Sequence, residues 1–179
     1  MNRFKVFNGI ALAALLIGAV SFSSCKKDKD TEQENITTAI VELSAPSFSG
    51  TFTWEDLDGP GGNAPTITPI TLPANGNFDA EIKILDRSKN PEEDITEEVK
   101  AEDDEHLLTF SVNGANLTVA YADTDSKGKP LGLQTRWATG GPSSGTLIIR
   151  LYHKPSNKDN LNNPGGDIDI EVSFPVTVQ

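Results

Sequence analysis

Two histidines and one cysteine are the only residues of their kinds among 179, and 26 acidic residues stand against 15 basic ones. Neutral imidazole beside carboxylate suits zinc and similar ions. His106 and His153 are therefore the first residues to place. Glu105 directly precedes His106 and ends a segment, 92–105, that carries nine acids with only Lys100 to offset them. Two other segments, Asp56-Leu57-Asp58-Gly59 and Asp123-Thr124-Asp125-Ser126-Lys127-Gly128, repeat Asp at i and i+2 with Gly beyond. Calcium takes about six to eight oxygens, and a Gly-assisted Asp-x-Asp bend aims several at one spot. Neither segment has the terminal Glu of a full calcium loop, and Asp and Gly are also ordinary turn residues. The candidate metal ligands are thus His106, His153 and Glu105 for zinc, and Asp56, Asp58, Asp123 and Asp125 for calcium.

Catalytic templates fit less well. Ser143-Ser144 lies in a Gly/Pro turn, and the strand reading below puts it at the end of the domain opposite both histidines, which separates the parts of a Ser-His-Asp arrangement. No glycine-rich loop precedes a helix to cradle phosphate. Paired carboxylates leave glycoside chemistry as the one enzymatic alternative. The expectation is a protein that is not an enzyme, without catalytic residues.

Apolar residues recur with period two. Phe78, Ala80, Ile82 and Ile84 form one such set; Leu108, Phe110 and Val112 a second; Leu147, Ile149 and Leu151 a third. Ile168, Ile170, Val172, Phe174 and Val176 form the longest, with Asp167, Asp169 and Glu171 on the opposite face. Shorter sets lie at 36–43, 51–55, 66–72, 116–121 and 131–137. Asn75-Gly76, Asn113-Gly114, Gly140-Gly141-Pro142 and Pro164-Gly165-Gly166 supply turns between them. About nine short strands with such turns predict an all-β domain, an immunoglobulin-like antiparallel β-sandwich. Only 94–105 could be helical, with Ile95 and Val99 as its apolar stripe. If strands alternate direction, loops 56–65, 86–105, 122–130 and 154–166 share one end, which takes the acids. The opposite loops carry none. Both histidines then fall at the acidic rim, on the inward parity.

The N-terminus has another logic. Arg3 and Lys5 precede an apolar run of 11 residues at 10–20, then Ser21-Phe22-Ser23-Ser24 and Cys25. Basic, apolar, then small is the pattern of a secretory signal peptide. The run falls short of the roughly 20 residues a membrane-spanning helix needs. The expected division is a signal peptide over 1–24, Cys25 with a charged, disordered tether over 25–35, and the sandwich over 36–179. Without residues 1–24 the chain holds 13 basic and 26 acidic residues, a net charge of −13. Such a surface repels nucleic acid and favours cationic partners.

Ser-Phe-Ser-Ser-Cys25 resembles the lipobox of bacterial lipoproteins, with Phe22 where that family prefers Leu. The resemblance implies acylation of Cys25 and a membrane anchor. Lys26-Lys27-Asp28-Lys29-Asp30 resembles the surface-export signal of Bacteroidota lipoproteins, which implies display outside the outer membrane. From about residue 75 to 179 the chain also resembles a family of small Bacteroidota envelope lipoproteins. The stretches are Pro91-Glu-Glu-Asp-Ile-Thr-Glu-Glu-Val99, Glu102-Asp-Asp-Glu-His106, Pro130-Leu-Gly-Leu133, Ser144-Gly-Thr-Leu147 and Gly165-Gly-Asp-Ile-Asp-Ile-Glu-Val172 with Phe174-Pro-Val-Thr-Val-Gln179. Its members often carry the label "type 1 periplasmic binding fold superfamily protein". That label describes a two-lobed α/β architecture, for which this chain is too short and too poor in helical periodicity. The family implies an envelope lipoprotein and transfers no catalytic residue.

Taken together, the residues predict an anchored binding module whose acidic end captures a divalent cation or a cationic ligand, with calcium and zinc as the ions. By analogy it would pass that ligand to a TonB-dependent outer-membrane receptor. The alternative is a structural or adhesive sandwich with calcium-stiffened loops. The anchor is directly testable. Cys25→Ser should abolish metabolic incorporation of labelled fatty acid, since no second thiol exists; label retained by the variant would refute lipidation at this residue.

Overall fold

The computed structural model describes residues 34–179 and Met1. The expected signal peptide, Cys25 and the tether up to residue 33 lie outside the described residues. Gln33–Gln179 forms one compact unit.

The domain is a sandwich of two antiparallel-rich sheets. The strands are β1 (Thr38–Ala45), β2 (Phe48–Glu55), β3 (Thr66–Ile67), β4 (Ile70–Leu72), β5 (Asn77–Asp86), β6 (Glu93–Asp94), β7 (His106–Asn113), β8 (Leu117–Tyr121), β9 (Gln134–Thr139), β10 (Ser143–His153) and β11 (Asp167–Val178). One sheet has the order β3-β2-β1-β5-β9-β8, with β6 against β5, and the other β4-β11-β10-β7. Eleven strands replace the nine expected, for two reasons. The apolar stretch 66–72 breaks at Thr68-Pro69, where proline offers no N–H to a ladder, and there the chain changes sheets. β3 pairs with β2, whereas β4 joins β11 in parallel. The second addition, β6, is a two-residue pairing inside the acidic loop.

The period-two pattern explains the core. Val41, Ile82, Ile84 and Trp137 from one sheet meet Leu108, Leu147, Ile149, Leu151 and Phe174 from the other, all at most 2 % exposed. Such side chains contribute about 1.5–3 kcal/mol each on burial. The helical stretch is shorter than 94–105. Helix α1 runs Ile95–Ala101, capped by Asp94, whose carboxylate accepts the Thr96 N–H at 3.0 Å, and a single 3-10 turn follows at Asp103–Glu105. Ile95 and Val99 face the core, as their spacing predicts. Thr96 Oγ1 accepts the Ile84 N–H and donates to the Ile84 carbonyl, which fixes the helix to the end of β5.

Apart from the successive pairs β3–β4 and β6–β7, each of which runs in one direction, strand direction alternates along the chain, so the connections sort by end. His153 pairs with His106 and Asp167, and Thr38 with Glu55 and Leu85, at the acidic end. Ala45 pairs with Phe48, and Ser143 with Val178, at the other, whose loops hold no acid. At the acidic end the segment before β9 ties the sheets together. Leu131 O accepts from Leu108 N in one sheet, and Leu133 O from Ile82 N in the other. Asp123 pins this segment by accepting the N–H groups of Gly132 and Gln134, both at 2.8 Å. Gly132 sits at φ +97°, and a Cβ there would lie 2.9 Å from the Leu108 carbonyl.

The acids are less bare than the sequence suggests, because lysines arrive from other loops. Lys127 meets Asp104, Lys129 meets Asp159, and Arg87 bridges Glu55 and Glu92. The deepest pair is Lys158–Asp125 at 2.7 Å, with side chains 6 % and 1 % exposed. Lys158 Nζ also donates to the Asp103 carbonyl, and Asp125 Oδ1 accepts the N–H groups of Lys127 and Lys129. Burial pushes the Asp125 carboxyl up. The Lys158 bond and the two amides outweigh it and leave it below the ordinary carboxylate range. The stability this lowered group contributes is present above the unfolded value near 3.8 and is lost as pH falls through the folded one. Lys158→Met strands a buried carboxylate and should cost about 3–5 kcal/mol at pH 7, while Lys158→Met/Asp125→Leu should recover part of that loss. Denaturant melts of both variants check this; a single variant as stable as the parent would remove the pair from the account.

Candidate functional site

Strand β11 departs from strict alternation at its first turn of pleat. Ile170 pairs with Leu151 and Ile168 with Tyr152, so Asp169 is an extra residue with no Cα partner across the ladder. This is a β-bulge, a device that re-aims side chains. Its effect reverses the expected faces. The Asp169 side chain is 5 % exposed, and Ile168 is 43 % exposed. A carboxylate has gone in and an isoleucine has come out, against the preference of both.

Two neighbours face this carboxylate. His153 Nδ1 lies 4.0 Å from Asp169 Oδ1, and His153 Nε2 lies 3.7 Å from Glu105 Oε2. His153 stacks on its cross-strand partner His106, with ring centroids 5.0 Å apart and planes inclined by 9°. His106 Nδ1 is 3.0 Å from the Glu102 carbonyl. A carbonyl can only accept, so that nitrogen carries the proton. The second neighbour is Glu34. Burial, then the charges of Glu98, Asp169, Glu102 and Glu93, push its carboxyl up to about 7. Asp169 is also raised, chiefly by burial and further by Asp167, with His153 and His106 opposing.

Three buried side-chain oxygens among the described residues lack a hydrogen-bond partner: Glu34 Oε2, Asp86 Oδ2 and Asp169 Oδ2. Asp86 Oδ2 has Lys89 Nζ at 3.5 Å. Glu34 and Asp169 line one groove of about 570 Å³, together with Asp56, Glu171, Trp54, Ile36, Ile168, Ile170 and Pro60. The groove exists because β4 is short. It covers β11 only over Val176, Thr177 and Val178, so residues 167–174 pair with β10 alone. Of the other acids in the groove, Glu171 is held by Arg150, and Asp56 accepts the Gly59 N–H of its own turn at 3.0 Å.

The sequence-derived ligands separate into two sets. His106, His153 and Glu105 converge, as strand parity predicts, but as a face-to-face ring pair. Parallel rings at this spacing do not aim two nitrogens at one ion about 2.0–2.1 Å from each. Among the described residues, no group of three or more His, Cys, Asp or Glu is arranged to hold a metal ion. The Asp-x-Asp carboxylates are engaged within the protein. Asp58 accepts the backbone and side-chain N–H groups of Asn63, Asp123 holds the segment before β9, and Asp125 belongs to the lysine pair. Asp56 and Asp58 therefore fasten their own turn, and Asp123 and Asp125 fasten neighbouring segments, instead of presenting a shared set of free oxygens.

The residues that sequence reasoning missed are Asp169 and Glu34. Nothing in the residue types around 167–172 marks the bulge, and strict alternation sends Asp169 outward. Glu34 reads as the last charge of the tether. A scan of family models, a search of curated proteins and a search of solved structures each found no match for this chain.

Proposed function

We propose that this domain is a binding module that captures a cation in the groove between β2 and the bulged start of β11. The observation that carries this reading is Asp169. A bulge turns it inward to 5 % exposure, yet Oδ2 has no hydrogen-bond partner. A buried carboxylate oxygen without a partner costs stability. Local sacrifices of this kind are characteristic of functional sites. Glu34 adds a second buried oxygen without a partner, and the nearby acids make cation entry favourable. The anchor of the module is the acylated Cys25. Its location is the outer face of the outer membrane, and its partner is an outer-membrane receptor of the TonB-dependent kind. The anchor and the location rest on the N-terminal residues and the family resemblance, and the receptor rests on analogy. The calcium-stiffened alternative has less support, since its aspartates are engaged by protein N–H groups and by Lys158.

Thermal melts of the purified protein with spermidine, calcium chloride or zinc chloride, against sodium chloride of equal ionic strength, test the reading. A cation that binds the folded state at a hundredfold excess over Kd adds about 2.7 kcal/mol, and each kcal/mol raises Tm by roughly 2–4 °C in a domain of this size. No rise beyond the sodium control would refute cation capture. A rise with calcium alone that persists in Asp169→Asn would favour the structural alternative.

Glu34 predicts the pH dependence. Its folded value near 7 exceeds the unfolded 4.5, so the native state holds the extra proton between them. The sign in this window is then negative: stability falls as pH rises from about 4.5 to 7 and is level above. Glu34→Gln should flatten that slope and raise Tm at pH 8. Cation affinity should weaken from pH 8 to pH 6 in the parent and lose that dependence in the variant.

A further inference from the structure

The groove is larger than an inorganic ion requires, and its walls are mixed. At about 570 Å³ it could house a single ion many times over. Two of its lining residues, Glu34 and Asp169, each carry a buried oxygen without a hydrogen-bond partner, Glu34 Oε2 and Asp169 Oδ2. Its lining also includes the apolar side chains of Trp54, Ile36, Ile168 and Pro60. Ile168 is exposed there only because the bulge that buries Asp169 turns it out. One backbone irregularity thus supplies both an anionic contact and an apolar one.

The number and kind of acceptors narrow the cation. A divalent metal demands several converging ligands, and no group of three among the described residues provides them. A guanidinium prefers both oxygens of one carboxylate in a fork. Here the two oxygens without partners belong to different carboxylates, Glu34 and Asp169. An ammonium is a compact charge with three donors and suits single oxygens from separate carboxylates. Its methylene stem would lie along isoleucine and proline, and the indole of Trp54 can take a cation on its face.

We propose that the groove seats a protonated primary amine on an apolar stem, clamped by Glu34 and Asp169 and packed by Trp54 and Ile168. This rests on the cation reading above and names its ligand class. Free diamines and lysine side chains share that chemistry.

Calorimetry on the full-length protein in detergent at pH 8 tests it, with 1,5-diaminopentane, N-acetyl-lysine methylamide, 1-pentanol, calcium chloride and zinc chloride as probes. The expected result is that an amine binds and pentanol does not. Asp169→Asn and Glu34→Gln should each weaken amine binding by about tenfold, with Tm equal to or above the parent's. Ile168→Ser, a substitution at an exposed position, should weaken it less and so keep the test open if a buried variant misfolds. Tighter binding of the diamine would indicate a free polyamine, and tighter binding of the lysine amide a lysine side chain; both support the proposal. Amine affinity unchanged in the Asp169 and Glu34 variants would overturn it. Binding of calcium or zinc without amine would overturn it while leaving cation capture standing. Binding of none of the cations would remove both.

Discussion

Antiparallel strands must reverse direction at each connection, and that constraint distributes the chemistry of this protein. Every second connection falls at the same end. Because the acids sit in alternate connections, one end of the sandwich concentrates them and the other has none. The core does not require this asymmetry, since either end would close it equally well. Concentrating like charge has a cost, and the structure answers with lysines from neighbouring loops. Lys127, Lys129 and Lys158 each reach an acid on a different connection. The loops at this end are therefore fastened by ion pairs and Asp-amide bonds, beside the core contacts of Ile95, Val99, Leu131 and Leu133.

That neutralisation is uneven, and the unevenness defines the site. The helix side of the acidic end is matched by Lys89, Lys100 and Arg87. On the side where β11 begins, Glu34 and Asp169 keep oxygens without hydrogen-bond partners beside a stacked histidine pair. Sheet geometry allows this because β4 stops after three residues. Had it continued up the edge of β11, backbone and side chains would fill the groove.

Much of the architecture was legible in the residues. Period-two runs such as Phe78-Ala80-Ile82-Ile84 place the core, Ile95 and Val99 place the short helix, and the parity of His106 and His153 places both at one rim. Three features were not legible, each for a physical reason. Pairings between sequence-distant strands leave no local pattern, so β4 alongside β11 could not be read from 70–72. Charge balance in space differs from balance along the chain, so Lys100 seemed the only counter-charge to 92–105. A bulge changes parity by one residue without changing composition, so Asp169 was assigned to solvent. The Asp-x-Asp segments show the converse difficulty, since turn-forming and calcium-binding use the same residue types and only the acceptors' partners distinguish them.

The position of β11 also shapes how the domain is made. It lies inside its sheet, between β10 and β4, although it is synthesised last of the four. Leu72 must therefore wait for Val178, more than a hundred residues later, to complete its ladder. Until then β4 has no partner, and Ile82, Ile84 and Trp137 of the facing sheet lack the cover of Val172, Phe174 and Val176. Cooperative closure is thus tied to the arrival of β11, without which the facing sheet keeps an uncovered apolar face. Topologies with such distant pairings fold slowly and present sticky intermediates, and here the uncovered face persists until β11 is in place.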